Sequence, residues 1–399
     1  MSLANGRRYL AIPGPSVMPD RVLQAMQQAA PNIYTGPLID LTASLIPDLK
    51  TVAGTKHRAA IYIANGHGIW EAALSNTLSR GDKVLVLATG RFGIGWGEMA
   101  AAVGIQTEVL DFGLHSTLDL DRVKAALIAD TAHEIKAITT VHVDTSTSFR
   151  NDIKALREAI DATGHPALLM VDCIASLGCD EFQMDAWGVD VMISASQKGL
   201  MTPPGIGFVF YNPKAEEARA KVDVVSKYWD WTPRGNPQEY YEYFGGTAPT
   251  HHLFALREAL NMLVHEEGLA NVYRRHATLA KAIWAALDAW GVGSSIEMNV
   301  KDPALRSHAV TSVKIEAPLG TALRDYLSEN LGVTLGIGLG MAAGGTPEWH
   351  GYFRIGHMGH VNAHMVLGTL ACIDAGLKAL DIPHGDGALD AATRVIAQA

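Results

Sequence analysis

Cysteine is scarce in this 399-residue chain: only Cys173, Cys179 and Cys372 are present. Their number is odd and no two are spaced as Cys-x-x-Cys. A disulfide framework is therefore not expected, and a reducing compartment, the cytoplasm, fits best. Charge of one sign is not gathered anywhere; 32 Lys and Arg stand against 41 Asp and Glu, a net −9. Without a basic patch, neither nucleic acid nor an anionic membrane is expected as a partner. A small anion remains admissible, because backbone amides and single cations hold one. No apolar run approaches the ~18 residues of a membrane span. Met1–Arg8 leads into no apolar segment of the kind found in a signal peptide. The 16 histidines include no His-Glu-x-x-His or other metal spacing, so no metal site is expected.

What the chain does have is apolar material, 48% of residues, and 39 glycines. Its length suits two domains better than one. Short apolar runs alternate with helical patterns: Ala59–Ala64, Val84–Ala88, Ala137–Val143, Ala167–Asp172, Val189–Ser194 and Gly207–Tyr211. Helices are expected at Asp20–Gln28, Leu38–Val52, Ile69–Leu78 and Gly97–Val103. Such a series predicts an α/β fold built on a mainly parallel sheet with helices on both faces. Long helical patterns at His251–Glu266 and Leu269–Trp290 lead into a smaller α+β part. That part has strands at Ala309–Lys314, Val333–Ile337 and Tyr352–Ile355 and helices at Thr321–Asn330 and Asn362–Leu380. The division expected is an N-terminal arm over 1–18, a large domain over 19–268 and a small C-terminal domain over 269–399. The small, polar tail after Ile382 is expected to be loosely held.

Open parallel sheets bind ligands beyond the carboxyl ends of their strands, so the residues there matter most. Asn65-Gly66-His67-Gly68 joins a strand to a helix start, where exposed amides can cradle a phosphate; a plain turn needing glycine would read the same way. Phe92 follows the second run and can stack on a planar ring or simply fill core. Thr145 stands in a cluster of hydroxyls, Asp144 to Ser148, suited to cofactor oxygens or to local turn bonds. Asp172 ends an apolar strand, where a buried carboxylate needs a partner such as a cationic ring nitrogen, or serves as a cap. Lys198 ends another, and burial would free its amine as a nucleophile. Arg354 sits in a β-rich run and can fork two bonds to a substrate carboxylate or make a structural ion pair.

Together these stretches resemble the class V aminotransferases of fold type I, above all the serine–glyoxylate and alanine–glyoxylate enzymes, from Pro13 to about Leu380. The most specific match is Val189–Gly207. The resemblance implies a seven-stranded type of sheet and pyridoxal 5'-phosphate carried as an internal aldimine on Lys198. It implies Asp172 on the pyridinium nitrogen, Ile174 against the ring and Phe92 stacked on it. Thr145 would bond the phenolic oxygen. Gly66, His67, Gly68 and Gln197 would hold the phosphate, as would Thr247 from the second subunit of a homodimer with shared sites. Arg354 and Tyr34 would contact the substrate. The implied reaction is a ping-pong exchange between serine or alanine and glyoxylate or pyruvate. A pyridoxamine–pyruvate aminotransferase, a lyase on the same fold and a catalytically idle dimer are the alternatives. Thr35-Gly36-Pro37 departs from the Arg-Ser-Pro common in the family, which leaves the donor open. Phe244 stands where relatives place a phosphate-binding tyrosine.

Overall fold

The computed structural model describes residues 2–399. In chain order the strands are β1 (Tyr9–Ala11), β2 (Arg58–Tyr62), β3 (Lys83–Ala88), β4 (Gln106–Asp111), β5 (Ile135–Val141) and β6 (Leu168–Asp172). They continue with β7 (Val191–Ala195), β8 (Gly207–Tyr211), β9 (Glu297–Met298), β10 (Val310–Lys314), β11 (Val333–Ile337) and β12 (Tyr352–Gly356). The helices are α1 (Asp20–Ala25), α2 (Pro37–Ala53), α3 (Gly66–Thr77), α4 (Arg91–Ala102), α5 (Leu120–Ala129), α6 (Ile153–Thr163) and α7 (Pro213–Arg219). After them come α8 (Trp231–Gly235), α9 (Thr250–Leu260), α10 (Leu269–Gly291), α11 (Leu319–Tyr326), α12 (Ala363–Ala379) and α13 (Ala388–Ala397).

Successive side chains of a strand face opposite ways, and both faces are used. Leu85 and Leu87 of β3 join Leu45 and Leu49 of α2 and Leu156 and Ile160 of α6 in one apolar cluster. Val84 and Val86 of the same strand join Trp70 and Leu74 of α3 and Trp96 of α4 in another. Each such side chain, fully buried, contributes about 1.5–3 kcal/mol. The result is a seven-stranded sheet of order β2-β8-β7-β6-β5-β3-β4 with helices on both faces. Only β8 runs against the rest, so the expected mainly parallel α/β sheet is present.

One strand of that sheet was not expected. β4, Gln-Thr-Glu-Val-Leu-Asp, lies at the edge and is largely exposed, so it carries no apolar run. Helix α4 begins at Arg91, well before the expected Gly97, because its glycines serve packing rather than turns. A Cβ on Gly93 would sit 3.0 Å from Ala88, and one on Gly97 3.1 Å from Val86, so the helix lies close on β3.

The second sheet has the order β1-β11-β12-β10-β9. Its core joins Leu335, Phe353 and Val313 to Leu287 of α10, Leu370 of α12 and Ala392 of α13. The expectation of a loose tail is therefore wrong. Small residues, Ala388 and Ala392, let α13 lie close on α10. Within the N-terminal arm, β1 pairs in parallel with β11 and so adds a strand to the second sheet. Asp180, buried after β6, bonds Ser307 (3.1 Å) and His308 just before β10, and so ties the two sheets together. Burial alone would raise its pKa; the hydrogen bond and charge of His308 and the charge of Arg150 hold it well below the usual carboxylate range.

Candidate active site

Parallel strands end on the same side, so β2, β3, β5, β6 and β7 deliver their following residues to one place. There a cavity of about 280 Å³ is lined by Gly66, His67, Phe92, Thr145, Asp172, Ile174, Gln197 and Lys198. Helix α3 supplies the first two. Gly207 at the start of β8 lets α3 sit directly on the sheet, since a Cβ there would come within 2.2 Å of Ile69.

Lys198 lies in the turn after β7 and opens on the cavity; its amine donates to the Pro13 carbonyl. Burial lowers that amine to about 8, helped by the Arg354 charge and opposed by Asp172 and Cys179. Asp172 is buried at the end of β6. Its Oδ1 accepts from the Ile174 amide at 2.7 Å and its Oδ2 from Trp70 Nε1 at 2.7 Å. Burial pushes it up to about 6 against those two hydrogen bonds. A lone buried carboxylate of this kind favours a cationic partner.

Phe92 is placed by Asp144, whose Oδ2 accepts from the Phe92 amide (2.9 Å) and the Gly93 amide (3.2 Å). The other oxygen of Asp144 accepts from Ser146 N and Oγ. Arg354 does not line the cavity. It is buried beside it, with Nη1 donating to the Thr145 carbonyl (2.8 Å) and Nε to the Ile337 carbonyl (2.6 Å). Nη2 has no protein partner among the described residues. Burial takes this guanidinium down to about 10, with Asp144 opposing, and it stays cationic at neutral pH.

Three other expected residues stand apart from the cavity. The Gly68 amide donates to Asn65 Oδ1 (3.2 Å), capping α3. Thr247 is exposed in the turn before α9, and Tyr34 is 82% exposed before α2. Phe244 is fully buried against Tyr240 and Tyr243 of its own chain, so it presents nothing to a phosphate. Asn65, of the expected glycine-rich turn, lines the cavity; conversely, Gly14, Pro15, Trp70 and Pro204 line it without having been singled out. Gly14 had a signal in Pro13-Gly14-Pro15: φ is +97° there, and a Cβ would collide with the Lys198 side chain. Trp70 had none, since an indole in a helix pattern reads as core.

The donors and acceptors present suit pyridoxal phosphate. Gln197 Oε1 is buried without a partner, and half a turn of that amide would aim its donors at the same spot. The first amides of α3 lack intrahelical acceptors and favour an anion. At Gly66 a Cβ would meet Ile174 Cδ1 at 2.5 Å, so the missing side chain keeps the cradle open. The thiols offer little reactivity. Cys173 and Cys179 are buried, with burial pushing the first far up and the second to about 12; Cys372 is half-buried in α12 and also raised. A desulfurase nucleophile is not among them.

Residues 49–362 match the family described as Aminotransferase class-V. A serine–glyoxylate aminotransferase of Methylorubrum extorquens is 40% identical over 94% of this chain and 93% of its own. An L-aspartate–glyoxylate aminotransferase of Paracoccus denitrificans is 33% identical over 93% of this chain and 91% of its own. The crystal structure of ureidoglycine–glyoxylate aminotransferase from Bacillus subtilis superposes with a TM-score of 0.87 at 26% identity, covering 100% of both chains.

Proposed function

The chain belongs to the class V aminotransferases of fold type I, and on that premise we propose that it moves an amino group between a small amino acid, serine or alanine, and a small 2-oxo acid. Glyoxylate ranks ahead of pyruvate as that acid, since all three relatives described above carry glyoxylate in their names while their donors differ. One observation carries the reading: the Lys198 amine and the Asp172 carboxylate follow neighbouring parallel strands and open on one cavity.

Pyridoxal phosphate, when bound, supplies a ring that accepts the electron pair left at the substrate α-carbon. The protein's part is to hold and to move protons. Lys198 would hold the aldehyde until the amino donor displaces it. Its freed Nζ would then take the proton from the α-carbon and pass it to the aldehyde-derived carbon of the cofactor, with the reverse transfer serving the oxo acid in the second half. Asp172 keeps positive charge at the ring nitrogen. Phe92 and Ile174, which line the cavity, would pack against the ring, and Thr145 would bond the phenolic oxygen. Gln197 and the amides of Gly66 and His67 take the phosphate; Gly68 acts by shaping their turn. Arg354 holds the substrate carboxylate with the nitrogen it leaves free. Donor and acceptor both carry that carboxylate, so they use the clamp in turn, which yields ping-pong kinetics.

The exposure of Thr247 and Tyr34 supports a homodimer in which each completes the partner's site. Residues 19–268 then hold the cofactor, 269–399 the carboxylate clamp, and the arm over 1–18 links them. The place of action is the cytoplasm, in keeping with three free thiols. No described helix is long and apolar enough to cross a membrane. Purified protein should be offered a panel of amino donors with glyoxylate and with pyruvate, and the products identified. Serine or alanine should convert glyoxylate to glycine; ammonia release without any acceptor would reject transamination.

A further inference from the structure

Trp70 has no part in that scheme. It is 2% exposed in α3, and its Nε1–H donates to Asp172 Oδ2 over 2.7 Å. An indole only donates, so the bond favours the ionised carboxylate over the neutral acid. Its orientation is fixed by neighbours: it stacks at 13° on Trp96 (6.2 Å) and meets His67 (4.7 Å) and Phe92 (6.3 Å) edge-on. A Cβ on Gly95 would lie 3.3 Å from the indole, so α4 closes tightly behind it. The charged or titratable groups facing Asp172 are Lys198 after β7, Asp144 after β5 and the adjoining Cys173. His67 lies against the indole, and Arg354 acts on Lys198 instead.

Resting on the pyridoxal phosphate reading of the cavity, we propose that Trp70 is a positioning residue that fixes the Asp172 carboxylate and holds it ionised at neutral pH, ready for a cationic ring nitrogen. Asp172 is already pushed up to about 6 with both of its donors in place. Loss of the indole donor moves its midpoint up by about one unit more. Much of the carboxyl would then be neutral near pH 7, and a neutral acid pairs poorly with a cation.

The test is the dissociation constant of pyridoxal phosphate from the apoprotein, by equilibrium dialysis between about pH 6 and 8.5, for wild type, Trp70→Phe and Trp96→Phe. Trp96 shares the indole stack, but its Nε1 has no partner. Trp70→Phe should bind about 3-fold more weakly near pH 6.5, about 5-fold near pH 6, and recover toward wild type by about pH 8.5. Trp96→Phe should keep the wild-type pH profile. An unchanged Trp70→Phe profile, or an equal loss at every pH, overturns the proposal and leaves the site reading standing. A wild-type protein that takes up no pyridoxal phosphate at any pH overturns both. Should Trp70→Phe fail to fold, the indole N–H signals of the eight tryptophans carry the test by NMR of the apoprotein. One should titrate near pH 6 in wild type and none in Asp172→Asn; no titrating indole overturns the proposal.

Discussion

Burial drives the Lys198 amine down to about 8 and the Asp172 carboxyl up to about 6, so two groups on one cavity draw together on the pH scale. For the amine, the consequence is kinetic. Only the deprotonated form attacks an aldehyde, so the rate of covalent attachment of pyridoxal phosphate to apoprotein should climb with pH to about 8 and then level off. The visible absorbance of the product reports it; a rise continuing past about pH 10 would describe an ordinary surface lysine. For the carboxyl, the consequence is energetic. Its folded pKa lies above the ordinary aspartate value of about 3.8. The native state therefore binds the extra proton between about 4 and 6, and the ionised form burdens the fold above that window. Apoprotein with Asp172→Asn should be ~3 kcal/mol more stable than wild type at about pH 8, with no gain near pH 3.5, by urea unfolding. Its turnover should fall sharply all the same. Equal stability at both pH values would show that Asp172 carries no burial penalty. Both groups could be read from the sequence because each follows an apolar run. Trp70 could not, because nothing in its spacing separates an indole that fills space from one that donates a hydrogen bond.

Elements were legible where both faces of a strand are buried and obscure where they are not. Leu168–Asp172 is buried throughout and announces itself; Gln106–Asp111, at the sheet edge, does not. The glycines of α4 misled in the other direction, since close approach to β3 and a chain turn ask for the same residue. Helix α4 also depends on a side chain from another element. Asp144 accepts from the amides of Phe92 and Gly93 at its start, a cap supplied from beyond β5. Asp144→Ala leaves those donors without their acceptor and should lower the unfolding free energy by about 2 kcal/mol. Because Phe92 is released as well, pyridoxal phosphate affinity should fall with it. Urea titration and dialysis measure the two, and full affinity after a clear loss of stability would separate Phe92 from the cap.

Across the whole molecule, the sequence conveyed the layered sheet but not how the second sheet is attached. The clasp of Asp180 with Ser307 and His308 joins positions far apart in the chain, which no local pattern encodes. Assembly is a matter of the same scale. If the proposed homodimer shares its sites, then in a mixture of Lys198→Ala and Thr247→Ala chains a hybrid dimer would own one site with its lysine intact and a partner's threonine intact. Thr247→Ala alone should bind pyridoxal phosphate about 10-fold more weakly, and refolding with the Lys198→Ala chain should restore tight binding at those hybrid sites. No restoration on mixing would place Thr247 outside any shared site.

The pairing of Tyr9–Ala11 with Val333–Leu335 bears on how the enzyme is born. The arm whose Pro13 carbonyl receives the lysine cannot settle until β11 has left the ribosome, when most of the chain has already been synthesised. Closing so long a loop is slow, and the larger sheet can form well before it. A nascent or truncated chain would thus own every strand that ends at the cavity and still lack the arm along one of its walls. A chain stalled before that strand emerges has no partner for the arm and so no finished wall on that side of the centre.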